Sequence, residues 1–164
     1  MMKIRIFLCV IIASIAMLSC ENKWAQDGEL DGMWQLVSIQ HSGEVTDVKS
    51  EQIYWSFRLR LVQFTNVAEN VSDKKEFFAH SEHAGNVLTI YDLCNPSENA
   101  TEADNNEWLE ANDHDLAKLA KWGIFPEPDT EHKGKLKATY TITESSSSKL
   151  VLSDKSTILI FRKF

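Results

Sequence analysis

Three cysteines, five histidines and 24 carboxylates are the groups in this chain able to attack, ligate or move a proton. Their spacing offers little chemistry. His80 and Glu82 share a face at strand spacing, with His83 on the opposite face. That supplies two ligands where zinc asks for about three from the protein, so a solvated edge accounts for them. Asp113-His114-Asp115 stands near a helix start, where acids complement the dipole, and capping explains it without a metal. His41 and His132 fall in polar stretches that read as loops. No serine nucleophile motif, phosphate-cradling glycine loop or Walker motif occurs. The expectation is a chain that is not an enzyme, with no catalytic residue, no metal site and no cofactor.

The cysteines are more informative. Lys3 and Arg5 precede a run from Ile6 to Leu18 that is apolar except for Ser14. About 13 residues suit the core of a signal peptide and fall short of the roughly 20 that span a bilayer as a helix. The run ends at Met17-Leu18-Ser19-Cys20, which resembles the lipobox of bacterial lipoproteins. The resemblance implies cleavage before Cys20, a diacylglycerol on its thiol and an acyl chain on the new amine. Residues 1–19 are then a signal peptide and Cys20–Asp31 a lipidated tether. Glu21 is not the aspartate that resembles an inner-membrane retention signal, which points to the outer membrane. A bacterial source also discounts Asn99-Ala100-Thr101 as a glycosylation acceptor.

With residues 1–19 removed, 15 basic residues face 24 acidic ones, a formal charge of −9. Such a surface repels phosphates, so nucleic acid is not an expected partner. Cys9 leaves with the signal and Cys20 carries lipid, which leaves Cys94 with no partner for an intrachain disulfide. The remaining 145 residues suffice for one domain, placed at 32–164.

The elements that would position any site are mostly strands. Met33–Gln40 is a short strand-like run. In Ile53–Phe64 the odd positions Ile53, Trp55, Phe57, Leu59 and Leu61 form an apolar row, with Ser56, Arg58 and Arg60 on the other face. Glu76–His83 and Val87–Leu93 read as a hairpin through Ala84-Gly85-Asn86. A helical segment follows over Glu107–Trp122, with Trp108, Leu109, Leu116, Leu119 and Ala120 on one face and Gly123 as its cap. Asn112-Asp113 is a point where that segment could restart. Leu136–Thr143 alternates again, a serine run at 145–148 turns the chain, and Leu150–Leu152 with Thr157–Phe164 closes a last hairpin. Seven or eight strands with one helical insertion before the last three favour an antiparallel meander closed into a barrel, because closure removes exposed edges.

Gly32-Met33-Trp34 opens the first strand and Arg162 stands in the last. This pairing resembles the lipocalin and wider calycin pattern, in which a Gly-x-Trp motif begins the barrel and a C-terminal arginine packs over the tryptophan. It is also similar to small lipocalin-like bacterial lipoproteins of unknown function. The resemblance implies that Arg162 stacks on Trp34 and that a barrel over residues 32–164 binds a small apolar ligand. Its inward wall would be Trp55, Phe57, Leu59 and Leu61 with Tyr140. The bulk of that row also suits a filled barrel that instead contacts another envelope protein. The partners expected are the membrane, through the lipid at Cys20, and either a small ligand or a protein.

Overall fold

The computed structural model of the chain describes residues 28–68, 76–95, 107–108, 113–129 and 135–164. The strands are β1 (Gly32–His41), β2 (Glu44–Asp47), β3 (Ile53–Arg58), β4 (Leu61–Asn66), β5 (Glu76–Ala84) and β6 (Val87–Asn95). After them come β7 (Glu107–Trp108), helix α1 (Asp113–Lys121), β8 (Glu127–Pro128), β9 (Leu136–Ser145), β10 (Lys149–Ser153) and β11 (Thr157–Lys163).

Alternation writes the architecture. Trp34, Leu36, Ile53, Trp55, Phe57, Leu150, Leu152, Leu159 and Phe161 are each at most 1 % exposed, with Gln35, Tyr54, Ser56, Val151 and Ile160 on the opposite face between them. A sheet with one such face must either find a second layer or roll up on itself. Here it rolls up. Eight strands form a ring in the order β1-β3-β4-β5-β6-β9-β10-β11, all paired antiparallel. The ring closes because β6 pairs β9, from Val87↔Thr141 to Tyr91↔Lys137, and β11 returns to β1. The short strands β2, β7 and β8 lie beside β1, β6 and β9 respectively. The helix falls between the fifth and sixth strands of the ring, before the last three, as the pattern suggested.

Two readings of the pattern need correction. Ile53–Phe64 is a hairpin, not a single strand: Leu59 and Arg60 form a two-residue turn with φ of 53° and 64°, and Arg58 pairs with Leu61. A two-residue turn flips parity, so inward positions pass from odd (Ile53, Trp55, Phe57) to even (Val62, Phe64). The helical segment is likewise shorter than expected. Trp108 sits in β7 opposite Cys94, and the helix covers Asp113–Lys121. Leu109 and Asn112 lie outside the described residues, whereas Leu119 is buried and Leu116 packs against the core.

The end of α1 is built as the sequence implied. Gly123 takes φ 79°, its N–H donates to Ala120 O at 3.0 Å, and the N–H of Ile124 reaches Leu119 O at 3.0 Å. This is the Schellman pairing, with glycine at the left-handed position and buried Leu119 and Ile124 as its apolar contact. The β5–β6 turn also uses its glycine: Gly85 adopts φ 62° at the first central position.

Candidate functional site

Described residues of the chain itself occupy part of the barrel lumen. Trp122, Gly123 and Ile124, leaving α1, run into the interior, where Trp122 is 1 % and Ile124 0 % exposed. A helix C-terminus carries carbonyls without helical partners, and the lumen answers the last of these and the carbonyl that follows it. The Trp55 indole N–H donates to Trp122 O at 3.0 Å, and the Tyr140 hydroxyl donates to Gly123 O at 3.1 Å. Around them, the Trp55 ring contacts Phe64, Phe161 and Tyr140 with centroids at 5.0, 5.0 and 5.9 Å. Burial pushes the Tyr140 phenol well above its ordinary pKa, so it remains a protonated donor.

Of the five residues expected to line a ligand site, Trp55, Phe57 and Tyr140 do face the interior, and the polar groups of Trp55 and Tyr140 are engaged by the inserted segment. Leu59 and Leu61 do not join them. They stand at the β3–β4 turn, 41 % and 47 % exposed, because the turn reverses which parity points inward.

The end of the barrel entered by the N-terminal segment is closed over Trp34. Its indole N–H donates to Leu30 O at 2.8 Å, and both residues are buried. The cation over the ring is Lys163, with its ammonium 4.2 Å from the centroid, and not Arg162. The register decides this: Trp34 opposes Lys163, so the two share the inner face, while Arg162 opposes Gln35 on the outer one. Arg162 Nε donates instead to Gln35 Oε1 at 2.7 Å. Gly32 makes room, since a Cβ there would lie 2.9 Å from the Lys163 ammonium. That ammonium also bonds the Asp31 carbonyl. Burial pulls the Lys163 pKa down, and the Asp31 carboxylate opposes the shift. Lys163 was legible only as a neighbour of Arg162, since the sequence alone does not reveal the pairing register.

Toward the β10–β11 turn the pairing of the described strands is interrupted. β10 stops pairing with β9 at Ser153↔Thr141, and farther along the same edge of β9 the strand paired among the described residues is β8, at Glu127↔Lys137 and Pro128↔Leu136. Between them lies a cleft of about 420 Å³. Its apolar lining comes from Val87, Phe125, Ala138 and Tyr140, and its polar lining from Glu127, Thr139, Thr141, Ser153, Asp154, Lys155 and Ser156. Asp154 shapes the rim by accepting the N–H groups of Ser156 and Thr157, both at 2.8 Å. Phe125 is fixed from below by His41, whose ring stacks on it at 4.2 Å and whose Nδ1 lies 2.8 Å from Thr157 Oγ1. His41 is thus the end of a strand rather than a loop residue. Val37 is the extra residue of a bulge in β1, which shifts inward-facing positions from Leu36 to Ile39 and His41. Hydroxyls, one ammonium and two carboxylates beside an aromatic floor can hold a molecule that is apolar at one end and polar at the other.

Cys94, His80 and Asp92 are engaged in local contacts. Cys94 is buried and its thiol points at Phe78 O, 3.6 Å away. Burial raises its pKa, the Asp92 carboxylate adds to the rise and Lys135 opposes it, which disfavours the thiolate a nucleophile requires. His80 pairs with Asp92 at 3.6 Å, and Asp92 also meets Lys135 at 3.1 Å. Asp92 takes φ 55° in a bulge of β6. Among the described residues no group of three His, Cys, Asp or Glu side chains could hold a metal ion, and no helix is long and apolar enough to cross a membrane. Cys20, Trp24 and His132 lie outside the described residues.

Comparison with known proteins agrees with the barrel. A family model described as a lipocalin-like domain matches residues 15–164. A lipocalin-like protein from Bacteroides uniformis superposes with a TM-score of 0.54 at 22 % identity, covering 84 % of this chain and 100 % of that one. An uncharacterized protein from Bacteroides eggerthii gives a TM-score of 0.53 at 20 % identity, covering 82 % and 99 %. No curated protein matches the chain.

Proposed function

The chain belongs to the lipocalin-like domain family, and from that premise we propose that it is a non-enzymatic binding protein of the bacterial cell envelope, anchored by lipid at Cys20. Its ligand is a small amphipathic molecule held in the cleft beside the β10–β11 turn. The observation that carries this reading is the cleft itself, about 420 Å³, with Phe125 and Tyr140 on its apolar side and Lys155 and Glu127 on its polar side. That volume falls within the range of roughly 300–1,000 Å³ typical of small-molecule sites. The segment after α1 favours a site in the barrel wall over one on its axis: a ligand seated against Trp55 would have to displace Trp122 and leave that indole unpaired. The anchor rests on Met17-Leu18-Ser19-Cys20 and the basic, apolar run before it, and Glu21 favours the outer membrane.

The test is purification of the full chain from bacterial membranes in detergent, followed by mass spectrometry of extracted small molecules. A reproducible molecule retained by the native chain and lost from Thr139→Trp, which fills the cleft, supports the reading. An empty native protein overturns it. The segment in the lumen also favours a second reading, a structural or protein-interaction lipoprotein, which an empty chain cross-linked to one envelope protein would support. Cys20→Ala reports on the anchor separately: membrane association and lipid labelling are lost if Cys20 carries the acyl chains.

A further inference from the structure

The described N-terminal residues meet the barrel at one end, and that end carries four of the eight large apolar side chains exposed among the described residues. Gly28–Leu30 forms a short turn there, sealed by the bond from Trp34 to Leu30 O. On the same rim, neighbouring strands place Met33, Leu59, Leu61 and Phe164 at the surface, 41, 41, 47 and 72 % exposed. They stand on neighbouring strands: Phe164 N–H donates to Met33 O at 2.9 Å and its ring packs on Tyr54 of β3 at 5.1 Å, Gly32 beside Met33 opposes Phe57, and Arg58 opposes Leu61. Leu59 is the tip of the turn. Its left-handed φ of 53° is a conformation that leucine adopts only under strain, and the leucine is left 41 % exposed. Arg58, Arg60, Arg162 and Lys163 share this rim with Glu29 and Asp31, so it is net basic on a strongly acidic protein.

We propose that this rim is a membrane-docking face: Leu59 and Leu61 insert at the headgroup level of an anionic phospholipid surface, with Met33 and Phe164 beside them and the arginines on the phosphates. The proposal rests on the lipid anchor at Cys20. Only residues 21–27 separate Cys20 from Gly28, and eight links reach at most about 28 Å even fully extended. The acylated cysteine therefore holds this end of the barrel near the bilayer. Exposed apolar side chains ringed by cations are the composition that binds an interface in its plane. The β10–β11 turn beside the wall cleft lies at the end of β11 opposite Lys163, which is compatible with this orientation.

The experiment uses the full acylated chain reconstituted in phosphatidylethanolamine–phosphatidylglycerol vesicles whose acyl chains are brominated. An environment-sensitive fluorophore is placed through Leu59→Cys or, at the other end, Val45→Cys. Cys94 is buried and does not compete for label. Intact mass establishes acylation of Cys20 independently. The expected result is loss of most emission at position 59 and none at position 45, with the loss at 59 reduced by Arg58→Glu while the protein remains in the vesicle fraction. Equal quenching at both positions, or quenching only at 45, in an acylated chain overturns the docking face and leaves the anchor standing. An unacylated Cys20 overturns the anchor, and the docking face falls with it.

Discussion

The ammonium of Lys163 lies over the ring of Trp34 because Gly32, two residues earlier, leaves the space that a side chain would fill. The Gly-x-Trp motif thus acts as a seat for a cation from the last strand, joining the two ends of the described domain. A cation over an indole contributes about 0.5–2 kcal/mol, more as water is excluded. In a double-mutant cycle on urea unfolding, Trp34→Leu and Lys163→Met are expected to couple by about that amount. Arg162→Met is expected to couple to Gln35→Ala, its outer-face partner, and to be near-additive with Trp34→Leu. The reverse pattern would place Arg162 on the ring.

How much of this was legible follows from the same pair of residues. That a C-terminal cation meets the Gly-x-Trp tryptophan was readable from residue types. Which cation required the register Trp34↔Lys163, and the bulge at Val37 shows that register is not uniform along β1. The strand row from Ile53 failed for a related reason. No glycine, proline, asparagine or aspartate marks the turn at Leu59-Arg60, and apolar Leu59 and Leu61 extend the odd alternation past its true end. Val62 and Phe64, apolar at even positions, were the signal of the reversal. The plug was hidden more deeply. Gly123 was recognisable as a helix cap, but nothing local says that the residues beside it enter the barrel, since their partners, Trp55 and Tyr140, are distant in sequence.

The β3–β4 turn holds two ordinary residues at positive φ, each destabilising by roughly 1–2 kcal/mol. Asparagine followed by glycine suits such a two-residue turn. Leu59→Asn with Arg60→Gly is therefore expected to stabilise the protein by about 1–2 kcal/mol in urea unfolding. Because the exposed leucine is removed, the same variant, acylated and labelled through Leu61→Cys, is expected to be quenched less by brominated lipid. A variant both stabler and equally quenched would dissociate the strained turn from docking.

Gly123 is constrained twice. Its φ of 79° disfavours any other residue, and a Cβ would stand 3.0 Å from Leu159 Cδ2 and 3.1 Å from Leu36 Cδ2 in the packed lumen. Gly123→Ala is expected to destabilise by about 2–4 kcal/mol, combining backbone strain with overpacking. Gly43, also at positive φ but with nothing near its Cβ position, is the control. Gly43→Ala should show only the backbone part, on the order of 1 kcal/mol. Equal losses at the two glycines would mean that the segment after α1 is not seated in the barrel.

Cys94 tests the interior through pH. Burial and Asp92 raise its folded pKa above the unfolded value, so the folded chain holds this proton more tightly than the unfolded one. The resulting stability is fully present below the unfolded thiol pKa, about 8.5, and is lost as pH rises from there through the folded value. Other groups titrate in the same window, so the quantity to follow is the difference between two chains. In a background carrying Cys9→Ser and Cys20→Ser, the stability of the Cys94 chain minus that of Cys94→Ala is expected to fall between pH 8 and pH 10. Alkylation gives the kinetic counterpart: iodoacetamide at pH 8 should react slowly with the folded chain and rapidly in urea. A folded chain that reacts at the unfolded rate, with a pH-independent difference in stability, would mean that β5 and β6 part readily around the bulge at Asp92, and the barrel would be open where it is described as closed.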